Sequence, residues 1–368
     1  MKVPFIDLKQ RYQEEKIELL SCLDRVLSKG HFILTEEVSD FEKKAASYIK
    51  VNHIIGLNSG TDALMMALWA LGIGKGDEVI TTPVSFVATT ASIAHVGATP
   101  VFVDVCDDQN IDPSKIETAI TPRTKAIMPV HWAGRIANMD EINLIAKKHN
   151  LLVIEDAAQA MGAYYKGKHA GNFGDAAAYS AHPLKNLNAL GDAGFMSTNS
   201  SVINEKVRLY RNHGLESRDN CQLYGVNSRL DSLNAEVLSF RLNKLNDVVD
   251  RRRKNVRIYK EILKQGPIFV PPEKSYEHNS YVMFITQAEK RDELKDFLAA
   301  NDIESLVYYG IPLHLHNAAS RYGYKKGSLP VAERQCEKVL ALPHHQHLTE
   351  DQIVYVANKV NEFYGFKL

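Results

Sequence analysis

Two periodicities alternate along the first half of the chain. Short apolar runs bounded by turn residues lie at 51–57, 77–81, 100–105, 126–129, 151–154 and 176–181, and they read as buried strands. Between them, apolar residues recur every three or four positions and predict helices over 36–49, 63–71 and 139–149. In the first of these, Val38, Phe41, Ala45 and Tyr48 share one face. Strands that alternate with helices predict βαβ units and a mainly parallel sheet, hence an α/β fold. Before this region, an apolar entry at 3–8 precedes a helical pattern around Ile17, Leu20 and Leu27. After it come a strand over 195–197, a helix over 204–213 and a polar, glycine-containing loop over 215–228. A long helical pattern over 232–263 then leads to a strand at 280–286, a helix at 290–301 and a strand at 303–308.

A chain of 368 residues is long enough for one large and one small domain. The expected division is residues 1–245 and 246–368, with the N-terminal segment available to pack on the smaller part. The 44 basic and 44 acidic residues cancel, which argues against nucleic acid or a membrane surface as partner. The basic run Arg251 to Lys254 reads as a solvated helix face. No apolar stretch is long enough to span a bilayer, and residues 1–12, with Lys2, Asp7, Lys9 and Arg11, do not read as a signal peptide. Cys22, Cys106, Cys221 and Cys336 are far apart and form no CxxC, so a reduced, cytoplasmic protein is expected.

The chemistry concentrates between 151 and 194. The run 151–154 stops at Glu155 and Asp156, small residues predict a helix, and Gln159 falls one turn past Asp156. The run 176–181 ends at His182, Pro183 and, two positions on, Lys185. Ligands of open α/β sheets bind outside the carboxyl ends of the strands, so an acid and a lysine at neighbouring ends can converge. Taken singly, Asp156 reads equally as a helix cap and Lys185 as a solvated loop lysine. Together they suit pyridoxal phosphate, whose aldehyde needs an amine for a Schiff base and whose ring nitrogen needs a carboxylate. A second glycine turn, Ser59-Gly60-Thr61-Asp62, opens the helix at 63–71 and outlines a phosphate cradle. Gly72, Gly74 and Gly76 follow a helix instead of a strand and read as a turn. With no G-x-G-x-x-G after the first strand, a Rossmann oxidoreductase is disfavoured.

The phrases VIEDAAQAMGA and GDAAAYSAHPLKNLNALGDAG strongly resemble the DegT-type sugar aminotransferases, whose pattern runs E-D-x-A-Q, G-D-x-x-x-x-S, P-x-K-x-L and G-D-x-G. The resemblance extends over nearly the whole chain. It implies a type I aminotransferase fold: a large domain with a mainly parallel seven-stranded sheet flanked by helices, plus a smaller α+β C-terminal domain. It implies a Schiff base of pyridoxal 5'-phosphate on Lys185 and a ring-nitrogen partner in Asp156. Gln159 would bond the phenolic oxygen, Gly60, Thr61 and Ser180 the phosphate, and Phe86 would stack on the ring. Asn227 would reach the cofactor phosphate of the other subunit of a homodimer. His314, with Arg229 and His182, is a candidate for the sugar pocket. The implied reaction moves an amino group from glutamate or a similar donor to a nucleotide-linked keto-sugar, in amino-sugar biosynthesis for surface glycans or similar products. A related sugar dehydratase carries histidine where Lys185 stands, and a non-catalytic sensor would lack the Lys185 and Asp156 pair. Three positions depart from the family pattern: Leu34-Thr35-Glu36 replaces G-P-E, Trp132-Ala133 stands within H-L-Y-G, and Ser228 replaces a tyrosine between Asn227 and Arg229. No metal is expected, because His314 and His316, like His344, His345 and His347, have no acidic or cysteine ligands at motif spacing.

Overall fold

The computed structural model describes residues 1–366, and its centre is a seven-stranded sheet. In chain order the strands are β1 (His53–Leu57), β2 (Glu78–Thr81), β3 (Thr99–Phe102), β4 (Thr124–Met128) and β5 (Leu152–Asp156). A small hairpin, β6 (Tyr164–Tyr165) and β7 (Lys168–His169), precedes β8 (Ala176–Ser180) and β9 (Gly194–Thr198). Across the sheet the order is β1-β9-β8-β5-β4-β2-β3. β3, β2, β4, β5 and β8 pair in parallel, and β9 alone runs against its neighbours β8 and β1.

The strands read as unbroken apolar runs because both faces of the sheet are covered. Successive strand residues point to opposite sides. Ile80, Ile127, Val153 and Phe195 therefore join one core, while Val79, Met128, Ile154 and Met196 join the other. The first face packs on α2 (Glu36–Ile49) through Phe41, Ala45 and Ile49, and on Ile142 of α5 (Met139–His149). The second packs on α3 (Gly60–Ala70), α4 (Ala88–His95) and α6 (Ser201–Tyr210) through residues such as Leu64, Ile93 and Val207. α1 (Leu8–Leu27) lies further out. The polar loop after α6 contains a short ribbon, β10 (Leu215–Ser217) with β11 (Asn220–Cys221).

The single helix expected over 232–263 is two, α7 (Ser232–Asn243) and α8 (Leu245–Ile262), broken at Lys244, where φ is −100° and ψ −2°. Packing decides this break. α7 lies against α1 and α2, whereas α8 packs on a helix near the C-terminus. That later part contains β12 (Ile268–Phe269), β13 (Glu277–His278), β14 (Phe284–Ala288), α9 (Arg291–Ala300), α10 (Pro330–Lys338), β15 (Val339–Leu342) and α11 (Glu350–Phe363). β12, β14 and β15 form an antiparallel sheet, and β13 extends the β6–β7 hairpin. A separate core gathers Val256, Tyr259, Phe284, Leu294, Leu340, Ile353 and Val360, together with Val3 from the N-terminus.

The strand expected over 280–286 starts only at Phe284, because Ser280 turns inward and its carbonyl accepts from Asn186 Nδ2 at 2.8 Å. The strand expected over 303–308 does not form. Its backbone divides between two partners, Ile303 bridging Val3 and Leu306 bridging Ala341, before residues 308–309 run towards the sheet. At the start of α2, Leu34 takes φ of 51°, so the turn that departs from G-P-E is made without glycine.

Candidate active site

β5 and β8 run parallel, with Asp156 opposite Ala178, so Asp156 and the segment after Ser180 emerge at the same edge of the sheet. The helix expected after Asp156 is absent. Residues 157–163 form two successive tight turns, Ala160 N–H to Ala157 O and Ala163 N–H to Ala160 O, with Gly162 at φ 85°. Asp156 Oδ1 instead accepts from Ala158 N–H at 3.2 Å, an Asx turn at a strand end. Its neighbour Glu155 faces the other way and is fully buried. Glu155 accepts from the N–H groups of Gly171, Phe173 and Gly174, each at 2.7 Å, and contacts His131 Nε2 at 2.8 Å. Burial raises the Glu155 pKa, but His131 and these backbone donors hold it below the usual carboxylate range. The glycine turn that connects β7 to β8 is therefore tied to a carboxylate of β5.

A cavity of about 440 Å³ opens at this edge. That volume suits a cofactor-sized ligand. Asp156, Lys185, Gln159, Ser180, Gly60, Thr61, Phe86 and His182 all line it. Asp156 is 4% exposed, and burial raises its pKa against the opposing pull of Thr89, Ala158 N–H and Lys185. The Lys185 amine is pushed down to about 8 by burial, opposed by Asp156. Each charge thus stabilises the other inside an enclosed site. Gln159 Oε1 accepts from Ala133 N–H at 2.8 Å, which leaves its amide donor for a ligand. Ala133 sits at φ 54° and Trp132 is anchored by Gln109 Oε1 at 3.1 Å, so the two departing residues hold Gln159 through backbone geometry.

The glycine turn at the start of α3 is equally constrained. Ser59 caps Asp62 N–H at 3.1 Å, while the N–H groups of Gly60 and Thr61 precede any intrahelical acceptor. A Cβ on Gly194 would lie 2.4 Å from Gly60 N, and one on Gly60 would lie 2.9 Å from Ser180 Cβ. Only glycine lets the turn press against β8 and β9. Ser228, where the family has tyrosine, donates to Asn58 Oδ1 at 3.1 Å and so fastens the 215–228 loop beside this turn.

Three expected residues lie outside the cavity of this chain. Asn227 is exposed and bridges Asn212, while Arg229 Nη1 donates to Asn212 Oδ1 at 3.2 Å. His314 is buried and pairs with Glu333 at 3.0 Å, its ring near Phe102 and Tyr324. Conversely, the cavity includes residues that no motif marked: Ser85 and Thr89 beside Asp156, and a far wall with Phe5, Met283, Tyr308 and Tyr309. Tyr309 lies 6.1 Å from Phe86, ring to ring. Nothing local in the sequence signals the far wall, since its segments meet only when the C-terminal core docks.

The donor set fits pyridoxal phosphate. An amine and a carboxylate face one chamber, a helix N-terminus presents two free N–H groups beside Ser180, and Phe86 is 52% exposed on the wall.

Comparison with known proteins accords with this site. A "pleiotropic regulatory protein" of Geobacillus stearothermophilus is 44% identical, over 99% of both chains. A dTDP-3-amino-3,6-dideoxy-alpha-D-galactopyranose transaminase of Aneurinibacillus thermoaerophilus is 41% identical, over 99% of this chain and 100% of that one. Among solved structures, S. venezuelae DesV in complex with a ketimine intermediate superposes with a TM-score of 0.97 at 39% identity, covering 100% of each chain. A Bacillus subtilis protein, NtdA, with bound cofactor PMP, gives 0.90 at 29% identity, over 98% of this chain and 85% of that one. The model of the DegT/DnrJ/EryC1/StrS aminotransferase family matches residues 13–361, nearly the full length, and the chain belongs to that family.

Proposed function

We propose that this protein is a pyridoxal-phosphate-dependent aminotransferase that moves an amino group from glutamate or a similar amino acid to the keto group of a nucleotide-linked sugar. The observation that carries this reading is the convergence of Lys185 and Asp156 on one cavity. Bound there, the cofactor supplies an aldehyde to accept nitrogen and a protonated ring to draw off negative charge. Lys185 provides the amine that holds the aldehyde carbon, and as a base it moves a proton from the donor's α-carbon. An amine pushed down to about 8 keeps a neutral fraction available near neutral pH, and that fraction grows as pH rises. Asp156 keeps the ring nitrogen protonated. Gln159 would donate to the phenolic oxygen, while Gly60, Thr61 and Ser180 would hold the phosphate. Phe86 would cover one face of the ring. The wall of Phe5, Met283, Tyr308 and Tyr309 is left for the sugar.

The "pleiotropic regulatory" relative raises a second reading, a sensor without turnover. The Lys185 and Asp156 pair favours catalysis, and Lys185 in place of histidine disfavours dehydration. The same proposal divides the chain near Lys244 into the large domain 1–245 and the small domain 246–368, and puts the enzyme in the cytoplasm. Among the described residues no helix is long and apolar enough to cross a membrane. The test is direct. Glutamate should bleach the visible band of the reconstituted enzyme, and a panel of nucleotide 3- and 4-keto-sugars should restore it, one of them forming an amino sugar. A band that no amino acid alters would overturn the reading.

The proposal also makes the protein a homodimer with shared sites. In support, Asn227 is exposed and outside its own cavity, at the foot of the β10–β11 ribbon. An isologous interface would have each subunit give one such loop and receive one. Mixing Lys185→Ala subunits with Asn227→Ala subunits should therefore recover part of the activity, because one site of each mixed dimer carries neither defect. No recovery in mixed dimers verified by mass would leave Asn227 without a role across the interface.

A further inference from the structure

Asp156 is held by more than its own strand. Its Oδ2 accepts from Thr89 Oγ1 at 2.6 Å, and Thr89 Oγ1 lies 2.7 Å from Ser85 Oγ. Thr89 is 1% exposed and Ser85 4%. A threonine hydroxyl has one proton. With that proton given to the carboxylate, Ser85 must donate to Thr89, so the three groups form a directed chain from Ser85 to Thr89 to Asp156. Hydrogen bonds in series polarise one another, and one that ends on a carboxylate is charge-assisted. Both hydroxyls flank Phe86, so a single segment would pin the carboxylate and cover the ring.

We propose that Thr89, backed by Ser85, is a positioning residue that keeps Asp156 ionised and so keeps the cofactor ring protonated. The inference rests on the functional reading above. The other titratable or charged groups facing Asp156 are Lys185 from the turn after β8, His131 from the turn after β4 and Tyr309 from the far wall. Lys185 would hold the cofactor's aldehyde carbon and move the donor's proton, and His131 is directed to Glu155. Thr89 is thus the side-chain donor that stays on the carboxylate throughout the reaction. Without it, the buried carboxylate would take back the proton it shares with the ring nitrogen, leaving a neutral acid against a neutral pyridine.

Thr89→Val keeps the shape and removes the donor. Reconstituted with isotope-labelled pyridoxal phosphate, wild type should show a protonated ring-nitrogen resonance at neutral pH, and Thr89→Val should move it towards the neutral position. The acid limb of the kcat profile should shift up by about one pH unit, the scale of a single charge-assisted hydrogen bond. Thr89→Ser should restore both signals. Ser85→Ala should shift them in the same direction by less, and it carries the test if Thr89→Val does not fold. Unchanged ring protonation in folded Thr89→Val, or in Ser85→Ala where that variant must stand in, would overturn the proposal. So would a loss that Thr89→Ser does not repair. A wild-type protein that takes up no pyridoxal phosphate would overturn the functional reading beneath it.

Discussion

Lys185→Ala is expected to remove transamination, with kcat falling by at least about 10³-fold, because both the covalent attachment and the proton transfer are lost together. The fold should survive. The Lys185 side chain lines the cavity, and the backbone at that position is held from elsewhere: Lys185 N–H donates to His182 O, and Ala189 N–H to Ala181 O. Removing the amine relieves the burial of a cation but takes a counter-charge from Asp156, and the two effects oppose each other. Circular dichroism and a melting temperature within a few degrees of wild type would separate a chemical defect from a structural one. The pH dependence has a definite sign. The wild-type amine gains its neutral form as pH rises through about 8, and added primary amines, which partly replace Lys185 as a base, should rescue the variant more at high pH than at low. Normal turnover by Lys185→Ala would remove the residue from the mechanism.

Asp156→Asn has the second largest expected effect, a fall in kcat on the order of 10²-fold, comparable to deleting a preorganised electrostatic group. The amide is neutral and cannot hold a proton on the ring nitrogen. Of the two bonds that Asp156 accepts, from Thr89 Oγ1 and Ala158 N–H, the amide oxygen can keep one, so the turn after β5 should persist and the cofactor should still bind. The expected combination is near-normal cofactor content with slow proton abstraction, seen as a slow loss of the visible band with glutamate. If Asp156→Asn and wild type react at equal rates, the carboxylate serves only the Asx turn.

Much of the site is legible in the sequence because its residues follow directly from strand ends. Asp156 and Lys185 each sit just past an apolar run, and the parallel pairing of β5 and β8 brings such ends together. Gly60 and Thr61 are legible for a similar reason: a strand, a glycine and a helix start already describe an anion cradle. The helical reading of 157–163 fails because small residues are compatible with a helix without requiring one. Gly162 and the early start of β6 leave room only for turns. The strand reading of 303–308 fails because an apolar run does not say which backbone it will pair with, and Val3 and Ala341 each take one end. His314 lies two residues past Pro312 in an apolar stretch, yet its partner Glu333 lies on α10 and draws it into the interior, near Phe102 and Tyr324.

By itself, then, the sequence determines the alternating α/β order, the burial of the strands, and the placement of Lys185, Asp156 and the Gly60-Thr61 turn at strand ends. These are local or near-local properties, governed by side-chain period and by glycine. Tertiary structure alone decides which hydroxyl meets Asp156, what breaks the helix at Lys244, and that Phe5, Met283, Tyr308 and Tyr309 close the cavity. The reason is physical: those contacts join segments far apart in the chain, and their positions follow from how two separate apolar cores pack, which no periodicity of one segment encodes.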